Sequence, residues 1–163
     1  MMMVIMGVSG CGKSTVGQAL AQSLGWPFFD ADDFHPPANL QKMSTGIPLQ
    51  DEDRQPWLER LRDLLADEHR AGRSAVLACS ALKERYRTVL RAGAPDVRFV
   101  YLDGTMEEIL TLMSRRSGHF MKPGMLASQF AALEPPRDAF SVPVLLPCVE
   151  QVQLIRGHFQ LGP

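Results

Sequence analysis

Apolar residues in this chain fall into short unbroken runs, separated by longer stretches in which they recur every three or four positions. The runs are MMMVIM (1–6), WPFFD (26–30), SAVLACS (74–80), VRFVYLD (97–103) and a fifth near VPVLL (142–146). Apolar runs of this length, without polar alternation, are the mark of strands buried on both faces. Between the first two, Val16, Leu20 and Leu24 share one helical face that Gly25 closes. A second helix is predicted from Asp51 to near Gly72: Leu58, Leu61 and Leu65 form its inner stripe. Asp51, Glu52 and Asp53 stand in its first turn, where carboxylates meet the positive end of the helix dipole. Thr105 and Glu108 form a capping box for a helix running to about Arg116. Strand and helix in alternation predict an α/β fold, a parallel sheet with right-handed crossovers, in one domain spanning residues 1–163. The proline pairs at 36–37 and 135–136 read as turns inside it.

Between the first run and the first helix lies Gly7, four residues, then Gly12, Lys13 and Ser14. Strand, glycine-rich loop and helix in that order make backbone N–H groups wrap a phosphate, aided by the dipole of the following helix. The predicted nucleotide-binding residues are Gly7, Val8, Ser9, Gly10, Cys11, Gly12, Lys13, Ser14 and Thr15. Lys13 adds a mobile point charge, and the Ser14 hydroxyl is placed to ligate a magnesium ion. Ligands in such folds gather at the carboxyl ends of the strands, which directs attention to FFDADDFHP. There Asp30, Asp32 and Asp33 crowd the end of the second strand. Turn chemistry is one reading of them. Beside a phosphate loop, the other is that one carboxylate orients magnesium through water while another takes the proton of an attacking hydroxyl. Alternation along an extended chain would put Asp30 and Asp32 on one face and Asp33 on the other.

With 163 residues, 45% of them hydrophobic, the chain can bury one substantial core. Its formal charge of −1 offers no general field for a polyanion, so a small-molecule ligand is expected rather than nucleic acid. Cys11, Cys79 and Cys148 lie far apart without metal-ligand spacing, and no signal-peptide core precedes the loop, so a cytoplasmic location is expected. No segment is long enough to span a membrane.

The stretches FFDADDFHPPANLQKMSTGIPLQDEDRQPWLERL, CSALKERYR and RRSGHFMKPGMLASQF resemble the gluconate kinases, small ATP-dependent sugar-acid kinases related to shikimate kinase and the nucleoside monophosphate kinases. The resemblance runs from about Met6 to Leu133. It implies a P-loop NTPase fold with a five-stranded parallel sheet flanked by helices, nucleoside-monophosphate-kinase-like with a mobile lid. It also implies ATP and Mg2+ as cofactors, phosphorylation of D-gluconate to 6-phospho-D-gluconate, and a homodimer.

The same resemblance makes individual roles more definite. Related shikimate kinases end their second strand on an aspartate pair that falls here on Asp30 and Asp32, implying that Asp30 serves magnesium through water and Asp32 the substrate hydroxyl. His35 is either a polyol contact or a satisfied turn residue. A sugar acid has a carboxylate, hydroxyls and no apolar face, so its pocket needs cations. Arg54 opens the helix at Asp51, and Lys83 and Arg87 share a face after the third strand. One reading is a carboxylate clamp by Arg54 and Arg87 with Lys83 beside it. The other is local pairing of Arg54 with Asp51 or Asp53 and a solvated face for Lys83 and Arg87. Trp57 reads as packing. Ser80 closes the third strand where many phosphate-loop enzymes place an acidic magnesium residue, which leaves the metal to Ser14 and to water held by Asp30.

The lid is expected at about 116–124, hinging at Gly118 and Gly124 and bringing Arg115, Arg116, His119 and Lys122 over developing charge. Arg116 best matches the family's catalytic arginine, completing a catalytic set of Lys13, Asp32 and Arg116, and His119 is carried as a substrate contact. After Pro135 the resemblance weakens, for Leu146, Pro147 and Cys148 stand where the family often has acidic or polar residues. The nearest alternative is another small-molecule kinase of the shikimate or adenylylsulfate type; against shikimate, the third strand ends in CSA without a run of glycines. A GTPase would need an Asn-Lys-x-Asp motif. A non-catalytic nucleotide-binding module would have no need of Lys13, Ser14, Asp32 and a basic lid together.

Overall fold

The computed structural model describes residues 1–115 and 123–162. The strands are β1 (Met2–Met6), β2 (Phe28–Asp30), β3 (Ala75–Ala78), β4 (Val97–Asp103) and β5 (Phe140–Pro143), in one sheet ordered β2-β3-β1-β4-β5. Every pairing is parallel: Met2 lies opposite Ala75 on one side and Val97 on the other, Phe28 opposite Val76, and Val100 opposite Phe140. The helices are α1 (Lys13–Leu24), α2 (Pro37–Ser44), α3 (Asp51–Arg70), α4 (Glu84–Arg91), α5 (Met106–Ser114), α6 (Pro123–Ala132) and α7 (Cys148–His158), with a 3-10 turn at Ala31–Phe34.

Central β1 is buried along its whole length, and its pleat divides the core in two. Met3 and Ile5 join Val16, Leu20, Ile109, Val152 and Ile155 on the side of α1, α5 and α7. Met2, Val4 and Met6 join Leu58, Leu61, Leu65 and Leu90 on the side of α3 and α4. At about 1.5–3 kcal/mol for each large side chain taken from water, these two layers hold the strand that carries the phosphate loop. Helix α1 approaches the sheet closely at Gly17, where a Cβ would come within 2.7 Å of Phe28 Cε1.

Element bounds differ from the sequence reading where proline or a missing partner intervenes. Strand β2 omits Trp26 and Pro27; Pro27 has no N–H for the ladder, although its carbonyl accepts the Val76 N–H at 3.0 Å. Strand β3 is shorter than SAVLACS at both ends, leaving Ser80 in the following loop. Strand β5 lies two residues upstream of VPVLL and stops at Pro143, with Leu145 exposed. The proline pair at 36–37 opens a helix instead of closing a turn: Pro36 is the N-cap of α2 and Pro37 its first residue, a position whose N–H has no helical partner in any case. The Thr105 capping box forms as predicted, with Oγ1 accepting from Glu108 N and Oε1 accepting from Thr105 N. Its helix ends at Ser114 with Arg115 as C-cap, two residues short of Arg116. Gly124 is the second residue of α6, at the start of that helix and not within a loop. The rest of the predicted lid, with Arg116, Gly118, His119 and Lys122, lies outside the described residues.

Candidate active site

The glycine-rich loop leaves β1 and is tied at its start to the loop after β3, where Gly7 N–H donates to Ser80 O at 3.2 Å. Gly12, the N-cap of α1, has φ of 98°, a left-handed conformation that favours glycine. Among the described residues no side chain caps α1, so its first-turn N–H groups are open to an anion. Lys13 reaches across the loop to donate to Val8 O at 3.1 Å. From the far side, Gln129 of α6 accepts the Ser9 N–H through Oε1 at 3.2 Å, a contact between residues 120 apart that no local sequence signal announces.

The aspartates meet this loop at the carboxyl end of β2. Ser14 Oγ donates to Asp30 Oδ2 at 2.8 Å, while Asp30 Oδ1 accepts the Asp32 N–H at 3.0 Å and so caps the 3-10 turn. The strand therefore stops at Asp30, and the alternation that was to set Asp32 with Asp30 and against Asp33 does not extend that far. The side chain of Asp32 is 80% accessible, open at the mouth of the cleft yet surrounded by protein at slightly longer range. Its carboxyl is raised above its ordinary value, first by desolvation and next by the charge of Asp30, with His35 and Lys13 opposing. Behind it, burial pushes the Cys79 thiol up to about 12, which keeps that sulfur protonated and inert.

His35 is buried and stacks on Trp57 with ring centroids 4.4 Å apart and planes 12° from parallel. Trp57 donates its indole N–H to Ala31 O at 2.7 Å, so its packing also pins the turn that carries Asp32. The His35 Nδ1 lies 3.2 Å from Asn39 Nδ2, and its Nε2 faces Asp32 Oδ1 at 4.0 Å. Asn39, four residues beyond His35 and in the first turn of α2, is a member of this group that carries no local sequence signal.

The opposite wall is built where the start of α3 meets the start of α4. Asp51 accepts from Lys83 at 3.2 Å, from Arg85 at 3.1 Å and from the Tyr86 hydroxyl, and these partners hold its carboxyl below the usual range, the Tyr86 bond contributing most. Asp53 takes Lys42 Nζ at 2.9 Å. Both local carboxylates are thus engaged elsewhere, and among the described residues none pairs with Arg54, which donates to Leu49 O at 2.9 Å and lies beside Tyr86. Lys83 is the N-cap of α4 and does not share a helical face with Arg87. Arg87 itself is 1% exposed. Its donors go to Glu84 at 3.0 Å, Ala81 O at 2.8 Å, Leu82 O at 3.2 Å and Glu134 O at 2.8 Å. Neither the clamp nor the solvated face describes it: this arginine fastens the loop after β3 to the segment after α6.

A phosphate loop on the central strand β1, meeting a carboxylate cluster at the carboxyl end of the edge strand β2, in a parallel sheet of this order, is the framework of the small-molecule phosphate-loop kinases, and the fold places the chain in that class. The shikimate kinase family model matches residues 9–129. The gluconokinase of Gluconobacter oxydans 621H is 48% identical over 164 residues, covering 97% of this chain and 90% of its own, and the thermosensitive gluconokinase of Escherichia coli K12 is 51% identical over 134 residues, covering 82% and 72%. The crystal structure of a gluconokinase from Sinorhizobium meliloti 1021 aligns with a TM-score of 0.87 at 43% identity, covering 98% of this chain and 94% of that one. The chain belongs to the gluconokinase branch of the shikimate kinase family.

Proposed function

We propose that the protein phosphorylates D-gluconate on its 6-hydroxyl at the expense of ATP. The 48% identity to a gluconokinase across nearly the whole chain carries this reading, and the cleft supports it chemically. The loop N–H groups and Lys13 would hold the β- and γ-phosphates, with Lys13 moving from Val8 O to the charge that builds up in transfer. Arg54, a half-buried guanidinium without a carboxylate partner among the described residues, would take the substrate carboxylate. Asp32, open to the acceptor and with its carboxyl raised above the ordinary value by desolvation and the charge of Asp30, would accept the proton of the attacking hydroxyl.

Magnesium fits the donor set, because a hydroxyl and a carboxylate, both hard oxygen ligands, already touch at Ser14 and Asp30. Ser14 would hold the ion directly and Asp30 through water; when bound, it neutralises phosphate charge.

ADP release measured with gluconate, glucose, sorbitol and shikimate as acceptors tests the reading. Gluconate should turn over fastest by a wide margin. Equal rates with a neutral polyol would refute the carboxylate clamp, and a preference for shikimate would refute the substrate.

A further inference from the structure

The hydrogen bonds around His35 determine which of its nitrogens carries the proton. Asn39 Nδ2 lies 2.9 Å from Asp53 O as well as 3.2 Å from His35 Nδ1. A backbone carbonyl can only accept, so the atom facing it is the amide NH2 and not the amide oxygen. That NH2 has a second hydrogen, and it points at Nδ1. Nδ1 must therefore accept, and the ring proton of the neutral imidazole resides on Nε2. Burial disfavours the charged form of His35, and Arg54 works in the same direction, while Asp32 opposes. The stack on Trp57 fixes the ring plane, so the Nε2–H is aimed at the Asp32 carboxylate across 4.0 Å.

We infer that His35 is a positioning residue for Asp32: Asn39, oriented by the Asp53 carbonyl, locks the His35 tautomer that presents a donor and not a lone pair to the carboxylate. The inference rests on the reading of Asp32 as the base. An exposed aspartate would otherwise spread over its rotamers, and only some of them aim an oxygen at the acceptor hydroxyl. A small side-chain rotation closes the gap to hydrogen-bond length, occupies one carboxylate oxygen and leaves the other for the proton. The opposite tautomer would turn a lone pair toward the carboxylate and drive it away. One chain of contacts, Asp53 carbonyl to Asn39 to His35 to Asp32, thus joins the start of α3 to the reacting end of the cleft.

The test reads the tautomer and the chemistry separately. In 15N–1H correlation spectra of the full chain, the His35 signal, identified by its loss in His35→Gln, should show a protonated Nε2 and an unprotonated Nδ1. In Asn39→Asp, which replaces the donor by an acceptor, the proton should appear on Nδ1 and kcat should fall roughly tenfold while the KM for ATP stays within about twofold. His35→Gln, whose amide nitrogen stands near the position of Nε2, should keep kcat within about threefold, whereas His35→Asn should lose it roughly tenfold. A protonated Nδ1 in the native protein, or equal kcat in His35→Gln and His35→Asn, would overturn the inference. A normal kcat in Asp32→Asn would instead overturn the base on which it rests and would leave the tautomer result standing.

Discussion

Replacing Arg87 distinguishes a guanidinium that holds the protein together from one that holds the substrate. Its four partners are not equally exposed to the loss. Leu82 O also accepts the Glu134 N–H at 2.8 Å, and Glu84 keeps Arg91. Ala81 O and Glu134 O lose the donor, and the former belongs to a residue with φ of 47°, an uncommon conformation without glycine. The buried carbonyl of Ala81 and the half-buried one of Glu134, left without this donor, cost about 1–3 kcal/mol each. Arg87→Ala should therefore lose roughly 4 kcal/mol of a total on the order of 5–15 kcal/mol. For a chain of this size that is a fall in Tm of about 8–16 °C. Arg87→Lys, which keeps the charge but not the fork, should fall between, and it keeps the comparison readable if the alanine variant fails to fold. Thermal melts followed by circular dichroism, with steady-state kinetics on the same preparations, check this. A Tm within about 2 °C of the parent, coupled with a rise in the KM for gluconate alone, would refute the structural role and restore the clamp.

Asp32→Asn should lower kcat about a hundredfold with ATP affinity nearly unchanged, and in the parent kcat should fall as pH drops through the raised value of this carboxyl. Because the folded value lies above the unfolded one, the stabilising contribution of the group is full below the ordinary carboxylate range and lost as pH rises through the raised value. Asp32→Asn should accordingly melt higher than the parent at neutral pH and lose that advantage in acid; an unchanged or lower Tm at neutral pH would contradict it. Arg54→Ala should raise the KM for gluconate roughly 10- to 100-fold, the worth of a charged hydrogen bond of about 1.5–3 kcal/mol, with the KM for ATP unaffected. An unaltered KM for gluconate would remove Arg54 from the pocket.

What could be read along the chain was whatever is local. The β1 run, the glycine spacing and the N-terminal capping box of α5 all depend on residues within a few positions of one another, and each appears where expected. Helix α2 escaped notice because it is eight residues long and its buried residue is Asn39, which gives no apolar period. The role of Arg87 is not legible locally because a buried arginine is recognisable only through its acceptors, and one of them, on Glu134, is 47 residues away. The same holds for Asp51 and Tyr86 and for Ser9 and Gln129, which local pattern cannot bring together. His35 stood between: its place after the aspartate cluster was visible, but the stack on Trp57 that fixes its plane was not.

The position of β1 sets a timetable for the molecule. Its ladder partners are residues 75–78 on one edge and 97–101 on the other, so the strand that launches the phosphate loop is made early and paired late. A nascent chain that has emerged only as far as α4 contains every residue of the loop yet has one of the two neighbours that hold its base. Parallel pairings between such distant segments form slowly, because the loop closures come before the contacts that reward them. Nucleotide binding would then be a property of the assembled sheet and not of the loop, and a nucleotide that binds only that assembled form would favour the last stage of folding as well as take part in turnover.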